Sequence, residues 1–226
     1  IEIINDESET NGELISLFDF AARLDLREVN RKAFEALKRA GAFDKIHSNR
    51  ASLLASVNLA INKAEQTHAH KGQNALFEEF EHSDVPLVDV ESWEERKQLV
   101  EEKIALGFYF SNHPFKFYEK MIRAFIPNRL TELKPREATY LIAGIISAIR
   151  IRMTSRGKIA IVTLDDGMGR VDVVIGNKIL NEAYELVKED QLLIVEGKVS
   201  HDDFTGGNRV SAINVYDLRT IQSSKA

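Results

Sequence analysis

The stretch "KIAIVTLDDGMGRVDVVI", residues 158–175, decides the fold of the second half of the chain. Apolar residues alternate with other residues on both sides of "DDGMG", and this period of two is typical of strands joined by a tight hairpin. Further short apolar runs bounded by glycine and aspartate extend the pattern. The predicted strands lie near residues 140–153, 158–164, 170–175, 191–200 and 208–219.

A helical stretch, residues 178–187, falls between the third and fourth predicted strands. Five strands with a helix at this place are the order of an oligonucleotide-binding (OB) barrel. Gly144, inside the long first strand, allows the bend that such a barrel needs. The sequence therefore predicts an OB-fold domain over residues 138–220, followed by a tail over residues 221–226.

The first half has helical periodicity instead. Apolar residues recur every three or four positions from residue 11 to residue 64, and the segment "VNRKAFEALKRAGAFDKIHSNRASLL" places two helices around a turn at Ala40–Phe43. This predicts a helix-hairpin-helix, with Ser48 as the cap of its second helix. The expected fold is α+β and multidomain: a helix-hairpin-helix region (1–66), a linker (67–92), a helical connector (93–137) and the barrel.

Composition limits the possible classes of protein. The chain has no cysteine and no apolar run long enough to span a membrane, so we expect a globular protein of the reducing cytoplasm. Its net charge of -5 hides two opposite blocks. Residues 27–50 hold seven basic residues against three acidic ones, and residues 78–102 hold ten acidic residues against two basic ones. The first block suits a phosphate backbone, and the second repels it.

The hairpin offers a candidate site for duplex DNA. Backbone N–H groups at such a turn and at the start of the next helix can face a phosphate, while nearby cations supply charge. The expected duplex-binding residues are Lys38, Arg39, Gly41, Lys45 and Arg50. A plain helical hairpin with a solvated basic surface explains the same residues equally well, and a single glycine marks the turn.

Several longer motifs carry a resemblance to a known family. The run "RLDLREVNRKAFEALKRAGAFD", then "GQNALF", "EKIALGFYFSNHPF" and "LLIVEGKVSHDD", in this order, resembles the C-terminal part of bacterial replicative DNA polymerases, the C-family alpha subunits. The resemblance implies template-directed DNA synthesis by the parent enzyme. It also implies that the catalytic acids and their Mg²⁺ ions lie upstream, so this segment itself has no catalytic residues and needs no cofactor.

"QNALF" resembles the clamp-binding pentapeptide of that family. The resemblance implies that Gln73 forms hydrogen bonds at the mouth of a pocket on the sliding clamp, while Leu76 and Phe77 fill it. The surrounding acidic segment lacks an apolar period of its own, which favours exposed anchors held for a partner. The alternative is a local contact of these apolar residues with the adjacent helices.

The barrel is expected to bind single-stranded DNA weakly. Its candidate residues are Arg150, Arg152, Arg156, Lys158, Lys198, Phe204 and Arg209. Residues 138–226 hold eleven basic and eleven acidic residues, and aromatic residues that could stack on bases are few, namely Phe204 and Tyr216. A barrel that serves as a spacer or protein contact remains the alternative. Asp165, Asp166 and Asp172 are interpreted as hairpin residues, so no metal site is predicted.

The sequence thus predicts a DNA- and clamp-engaging segment of a replicative polymerase. Its expected partners are the sliding clamp, primer-template duplex, single-stranded DNA and further holoenzyme subunits such as the clamp loader and the exonuclease. The competing hypothesis is a non-catalytic replisome scaffold that contacts proteins and has negligible affinity for DNA.

Overall fold

The structure is a computed structural model that describes residues 16–23, 31–71, 85–155, 157–202 and 206–218, without the side chains of residues 67–71 and 202. The chain divides into two compact units, Ile1–Ser111 and Asn112–Ala226. Within the described residues, no helix has the length and apolar character needed to cross a membrane. The finer division into five segments stays a prediction.

The first unit is helical. The helices among its described residues are α1 (Leu17–Arg23), α2 (Arg31–Arg39), α3 (Arg50–Ala55), α4 (Val57–Lys71) and α5 (Glu95–Leu106). The core is aromatic: the rings of Phe20 and Phe34 stack with centroids 5.1 Å apart, and Phe43 meets Phe20 edge-on at 4.9 Å. Leu53 and Val57 complete this core from the next two helices. The apolar residues at helical spacing therefore converge on one cluster.

The turn between α2 and α3 depends on Gly41. Its φ of +83° lies in the left-handed region that favours glycine, and a Cβ at this position would lie against the Arg50 guanidinium. The second helix is capped by Asn49, whose Oδ1 accepts hydrogen bonds from Ala51 N–H (3.0 Å) and Ser52 N–H (3.2 Å). The predicted cap at Ser48 is therefore one residue too early, because Asn49 has the extended backbone that a cap requires.

An extended segment, residues 85–90, lies along the first two turns of α3 and the start of α4. Ser56 Oγ accepts a hydrogen bond from Val88 N–H (2.8 Å), and Asn49 Nδ2 donates to Val90 O (2.7 Å). Ser52 Oγ also bonds to both backbone groups of Val90 at 3.3 Å. Polar side chains of the helices thus satisfy this stretch of backbone in the absence of a neighbouring strand.

The second unit begins with α6 (Lys116–Phe125) and a 3₁₀ turn (Leu130–Glu132) and continues as the barrel. The strands are β1 (Tyr140–Thr154), β2 (Gly157–Asp165), β3 (Arg170–Ile175), β4 (Leu192–Asp202) and β5 (Gly207–Tyr216). A short helix, α7 (Asn177–Glu182), and a second 3₁₀ turn (Tyr184–Leu186) connect β3 to β4. The barrel closes in the order β1-β2-β3-β5-β4.

Strand β1 belongs to both sides of the barrel. Its first half pairs with β4, from Tyr140 opposite Gly197 to Ile145 opposite Leu192, and its second half pairs with β2. The register shifts between Ile146 and Ala148, just after Gly144, whose missing side chain leaves room for the backbone of Asp165. The predicted α+β fold with a five-stranded OB barrel is confirmed.

Candidate nucleic-acid interface

Four of the predicted barrel cations lie on one outer surface, which we call the outer basic face: Arg150, Arg152, Lys198 and Arg209. Arg150 stands opposite Ile161 and Arg152 opposite Ile159, whereas the alternate β2 residues Ala160 and Val162 point into the core and are buried. Since side chains alternate along a strand, both arginines point away from the core.

The same rule places the other two cations. Arg209 of β5 lies opposite Asp172 of β3, and the next residue of each strand, Val210 and Val173, is fully buried. Lys198 lies opposite Ser211 of β5, on the same side as Arg209. The outer basic face therefore extends over β1, β3, β5 and β4.

Asp172 is a carboxylate within this basic surface, and sequence reasoning did not assign it a role there. Arg150 Nη2 donates to Asp172 Oδ2 at 2.6 Å, and Thr163 Oγ1 donates to Oδ1 at 2.6 Å. More than half of the Arg150 side chain remains exposed. Asp172 thus holds Arg150 across two strands while leaving part of its guanidinium open to a ligand.

The remaining barrel candidates do not join the outer basic face. Lys158 lies opposite Met153, on the other side of the β1–β2 ribbon. Arg156 and Phe204 lie outside the described residues. Tyr216 donates its hydroxyl to Glu196 Oε2 at 2.9 Å and packs on buried side chains, so its ring is not an exposed stacking surface.

Outward-facing residues of β2 and β3 are aliphatic or polar. They are Ile159, Ile161, Thr163, Arg170, Asp172 and Val174, so neither of these fully described strands presents an aromatic ring on this side. Stacking on aromatic rings usually supplies a large share of the affinity for single strands. The geometry supports electrostatic contact with a backbone better than it supports binding of bases.

The "DDGMG" turn forms hydrogen bonds with the segment that precedes the barrel. Asp166 Oδ2 accepts from Arg123 Nη2 of α6 (2.8 Å) and from Leu130 N–H (3.1 Å). Asp165 accepts from Arg170 (2.6 Å), and His113 Nε2 lies 3.4 Å from it. Burial alone would raise the pKa of Asp165, but the hydrogen bonds from His113, Arg170 and Gly167 N–H outweigh it and lower the pKa.

In the helical hairpin, Lys38 points into the aromatic core. Its side chain has no exposed surface, and its Nζ lies 2.9 Å from the Phe34 ring centroid and 4.7 Å from that of Phe43. The ammonium donates to Phe34 O at 3.1 Å. Burial lowers the pKa of Lys38 to about 6, against a smaller opposing effect of Glu35. Lys38 is therefore inaccessible to a phosphate in this structure.

Two further hairpin cations are paired with carboxylates of α5. Arg39 forms an ion pair with Glu101, and Arg50 Nη1 donates to Glu102 Oε1 at 2.8 Å. Arg50 also forms a two-pronged pair with Asp44, at 2.8 and 2.5 Å. Glu102 has no exposed surface, and burial would raise its pKa, but hydrogen bonds from Ser111 N–H and Arg50 lower it.

The backbone amides near the hairpin are also occupied to a large extent. Gly41 N–H donates to Lys38 O and Ala42 N–H to Leu37 O, and Asn49 takes the amides of Ala51 and Ser52. Of the five predicted duplex-binding residues, Lys45 is the one that is exposed.

The predicted clamp-binding residues Gln73, Leu76 and Phe77 lie outside the described residues. Sequence reasoning also missed the roles of Glu101, Glu102 and Asp172, which bind the predicted cations. A net charge counted over a block of sequence cannot show which cations are already paired in the folded chain.

Comparisons with known proteins follow the two units. A helix-hairpin-helix motif model matches residues 1–53, and a model of an OB-fold nucleic acid binding domain matches residues 140–219. The DNA polymerase III subunit alpha of Neisseria meningitidis serogroup A is 41% identical over 230 residues, which cover 100% of this chain and 20% of that protein. The chain belongs to the DNA polymerase III alpha subunit family. The Escherichia coli subunit is 36% identical and is matched over 96% of this chain and 20% of its own length.

The chain spans about a fifth of the length of these relatives. Among solved structures, the second OB-fold domain of replication protein A from Methanococcus maripaludis is 20% identical, with a TM-score of 0.33 over 40% of this chain and 93% of that one. This score is too low to carry any inference. Family membership rests on the sequence relatives.

Proposed function

We propose that this chain is the part of a replicative DNA polymerase that engages single-stranded DNA and the sliding clamp. The observation that carries the proposal is the outer basic face, four cations brought to one side of a barrel that matches a nucleic acid binding domain. The relatives named DNA polymerase III subunit alpha support the replicative context.

In this proposal the barrel holds the single-stranded template through its phosphates. Arg150, Arg152, Lys198 and Arg209 provide the charge, and each phosphate contact contributes to a salt-dependent affinity. Because β2 and β3 present aliphatic and polar side chains instead of aromatic rings, the barrel binds weakly and with little preference for sequence. Weak contact suits a template that must slide through the enzyme.

Gln73, Leu76 and Phe77 bind the clamp. The segment that carries them joins the end of α4 to residues 85–90, which the side chains of Asn49, Ser52 and Ser56 fasten to the helices. A short peptide docked in a pocket binds in the micromolar range, about -8 kcal/mol. Such an affinity suffices, because the DNA that threads the clamp is also held by the polymerase, and the second contact becomes intramolecular.

The parent enzyme, in this proposal, extends primers by transferring nucleotides at a Mg²⁺-dependent site that lies upstream of the residues present here. It works in the cytoplasm with the clamp loader and the exonuclease as further partners. Arg39, Gly41, Lys45 and Arg50 belong to a hairpin near the duplex, with Lys45 as its accessible cation.

A second candidate function applies to the hairpin alone. Lys38 is buried, and Arg39 and Arg50 bind Glu101 and Glu102. These contacts favour a hairpin that acts as an internal scaffold for α5, with little affinity of its own for DNA. Duplex binding that persists after Lys45→Glu and keeps the same salt dependence would favour this second candidate.

The experiment that tests clamp binding combines Leu76→Ala with Phe77→Ala in the intact polymerase. Removal of an anchor side chain costs about 2 kcal/mol or more at an interface hot spot. We expect clamp binding by surface plasmon resonance and clamp-dependent processivity to be lost, while clamp-free primer extension persists. Phe80→Ala is the matched control, since it removes an aromatic residue just outside the pentapeptide. Clamp binding that survives the double change contradicts the proposal.

A further inference from the structure

Helix α5 carries its charges on two different sides. Its inward side is identified by contacts: Leu99 is buried, Glu101 pairs with Arg39, and Glu102 is buried beside Arg50. Glu101 and Glu102, the acidic residues in the middle of the helix, are therefore paired with arginines of the hairpin. The solvent-facing side of α5 carries different residues.

The outward side combines an apolar stripe with cations. Val100 and Ile104 lie one helical turn apart and are 52% and 64% exposed. At 100° per residue, Arg96, Lys97 and Lys103 border this stripe on both sides. The exposed side of α5 is thus apolar at its centre and basic at its border.

Two aromatic residues follow directly. Gly107, with a φ of +82°, ends the helix and turns the chain back, so that Phe110 N–H and Ser111 N–H donate to Glu102 at 3.0 and 2.9 Å. Phe108 and Phe110 are left 56% and 69% exposed. Single exposed apolar side chains are common on protein surfaces, but several neighbouring ones are typical of an interaction surface.

We propose that the exposed side of α5 is a docking site for an acidic segment of a separate polypeptide that carries aliphatic or aromatic anchors. The anchors cover Val100 and Ile104, and the carboxylates of the partner meet the basic border. Charge complementarity selects this partner, because a basic segment would be repelled and a nucleic acid backbone has no apolar anchors for the stripe. Docking of this partner is separate from the binding of DNA and of the clamp.

The test uses the full 226-residue chain and a defined probe. The probe is a fluorescein-labelled synthetic peptide of about four helical turns, with Leu and Phe every three or four positions and Glu elsewhere. Its matched control carries Lys in place of every Glu. In fluorescence anisotropy we expect micromolar binding of the acidic peptide and at least about tenfold weaker binding of the basic one. Equal binding of both peptides, or no binding of the acidic one, overturns the proposal.

Variants locate the site. Val100→Ser combined with Ile104→Ser should weaken the acidic peptide at least about tenfold, and Lys97→Glu should weaken it several-fold. Leu59→Ser is the control, because Leu59 is an exposed aliphatic residue of α4 in the same unit. Circular dichroism checks that the variants remain folded, as expected for exposed positions. Unchanged affinity in the Val100 and Ile104 variant overturns the site.

A final experiment distinguishes docking of a separate polypeptide on α5 from docking of the chain's own acidic segment. Replacement of Glu78, Glu79 and Glu81 by serine should leave the affinity for the acidic peptide unchanged. An increase of about tenfold would mean that the chain's own carboxylates compete for α5, and the proposal of a separate partner would then be wrong. Because Leu76 and Phe77 are intact in every variant, a failure here is distinguishable from a failure of clamp binding.

Discussion

The hairpin and the barrel are both rich in basic residues, but they use them in opposite ways. In the hairpin, Lys38 lies among aromatic rings and Arg50 binds two carboxylates, so both of these charges are directed inward. In the barrel, Arg152 is exposed, and Arg150 remains more than half exposed while it binds Asp172. A positively charged side chain therefore stabilises the fold in the hairpin, whereas in the barrel it remains available at the surface.

The difference shows that local net charge is a poor guide to a binding surface. The hairpin has the larger excess of basic residues in its sequence, and the barrel has none. Pairing across distant parts of the chain makes two of the hairpin cations less available, since Glu101 and Glu102 of the acidic block bind Arg39 and Arg50.

The largest effect is expected for Glu102→Ala. The change leaves the buried Arg50 without one partner and removes the acceptor of Phe110 N–H and Ser111 N–H. Breaking a buried pair costs about 3–5 kcal/mol. Urea unfolding followed by the fluorescence of Trp93, the single tryptophan, measures this loss. The exposed Glu95→Ala is the control, and a similar small loss in both variants would show that Glu102 is not a structural residue.

Gly41→Ala should destabilise the first unit more than Gly107→Ala. Both glycines have a positive φ, +83° and +82°, so alanine pays a backbone strain of about 1–2 kcal/mol at either site. A Cβ at Gly41 also meets the guanidinium of Arg50, whereas Gly107 has nothing within 4 Å. The clash should add about 1–3 kcal/mol. Equal losses would mean that Arg50 can move away without cost.

Lys38 makes the stability of the first unit depend on pH. Its pKa is lowered to about 6 in the folded chain and is near 10.5 in the unfolded chain, so the unfolded chain binds an extra proton between these values. Stability should therefore rise with pH across this window, by up to about 1.4 kcal/mol per unit. Lys38→Met removes this dependence. The urea midpoints of the original chain and of the Lys38→Met variant are compared at pH 6.5 and 9. An equal change of midpoint with pH in both proteins would contradict the burial of the amine.

The smallest effect concerns the salt dependence of single-strand binding. Arg150→Ala combined with Arg152→Ala should flatten the plot of log affinity against log salt by about 0.7 per lost contact. Arg39→Ala, which removes a cation paired with Glu101, should leave the slope unchanged. Anisotropy titrations of an oligothymidine measure all three chains. A change for Arg39→Ala as large as that for the barrel variant would erase the contrast between the two units.

The fold was predictable because its signals are local. The alternation on both sides of "DDGMG" and the helical spacing around Phe34 and Leu53 need no knowledge of distant residues. The site was only partly predictable for the opposite reason. Arg39 and Glu101 lie far apart in sequence, and the pairing of Arg150 with Asp172 depends on strand register, so neither contact leaves a local pattern.

Strand β1 also has a consequence for the speed of folding. Its first half must find β4, with Tyr140 opposite Gly197, and the barrel closes only when β5 lies parallel to β3. Both pairings join distant parts of the chain, and the loop entropy is lost before the contacts are gained. The helical unit also contains long-range packing, of α1 against α4 and of α2 against α5. We therefore expect closure of the barrel, by pairing of β1 with β4 and of β3 with β5, to be the slow step in the folding of the second unit.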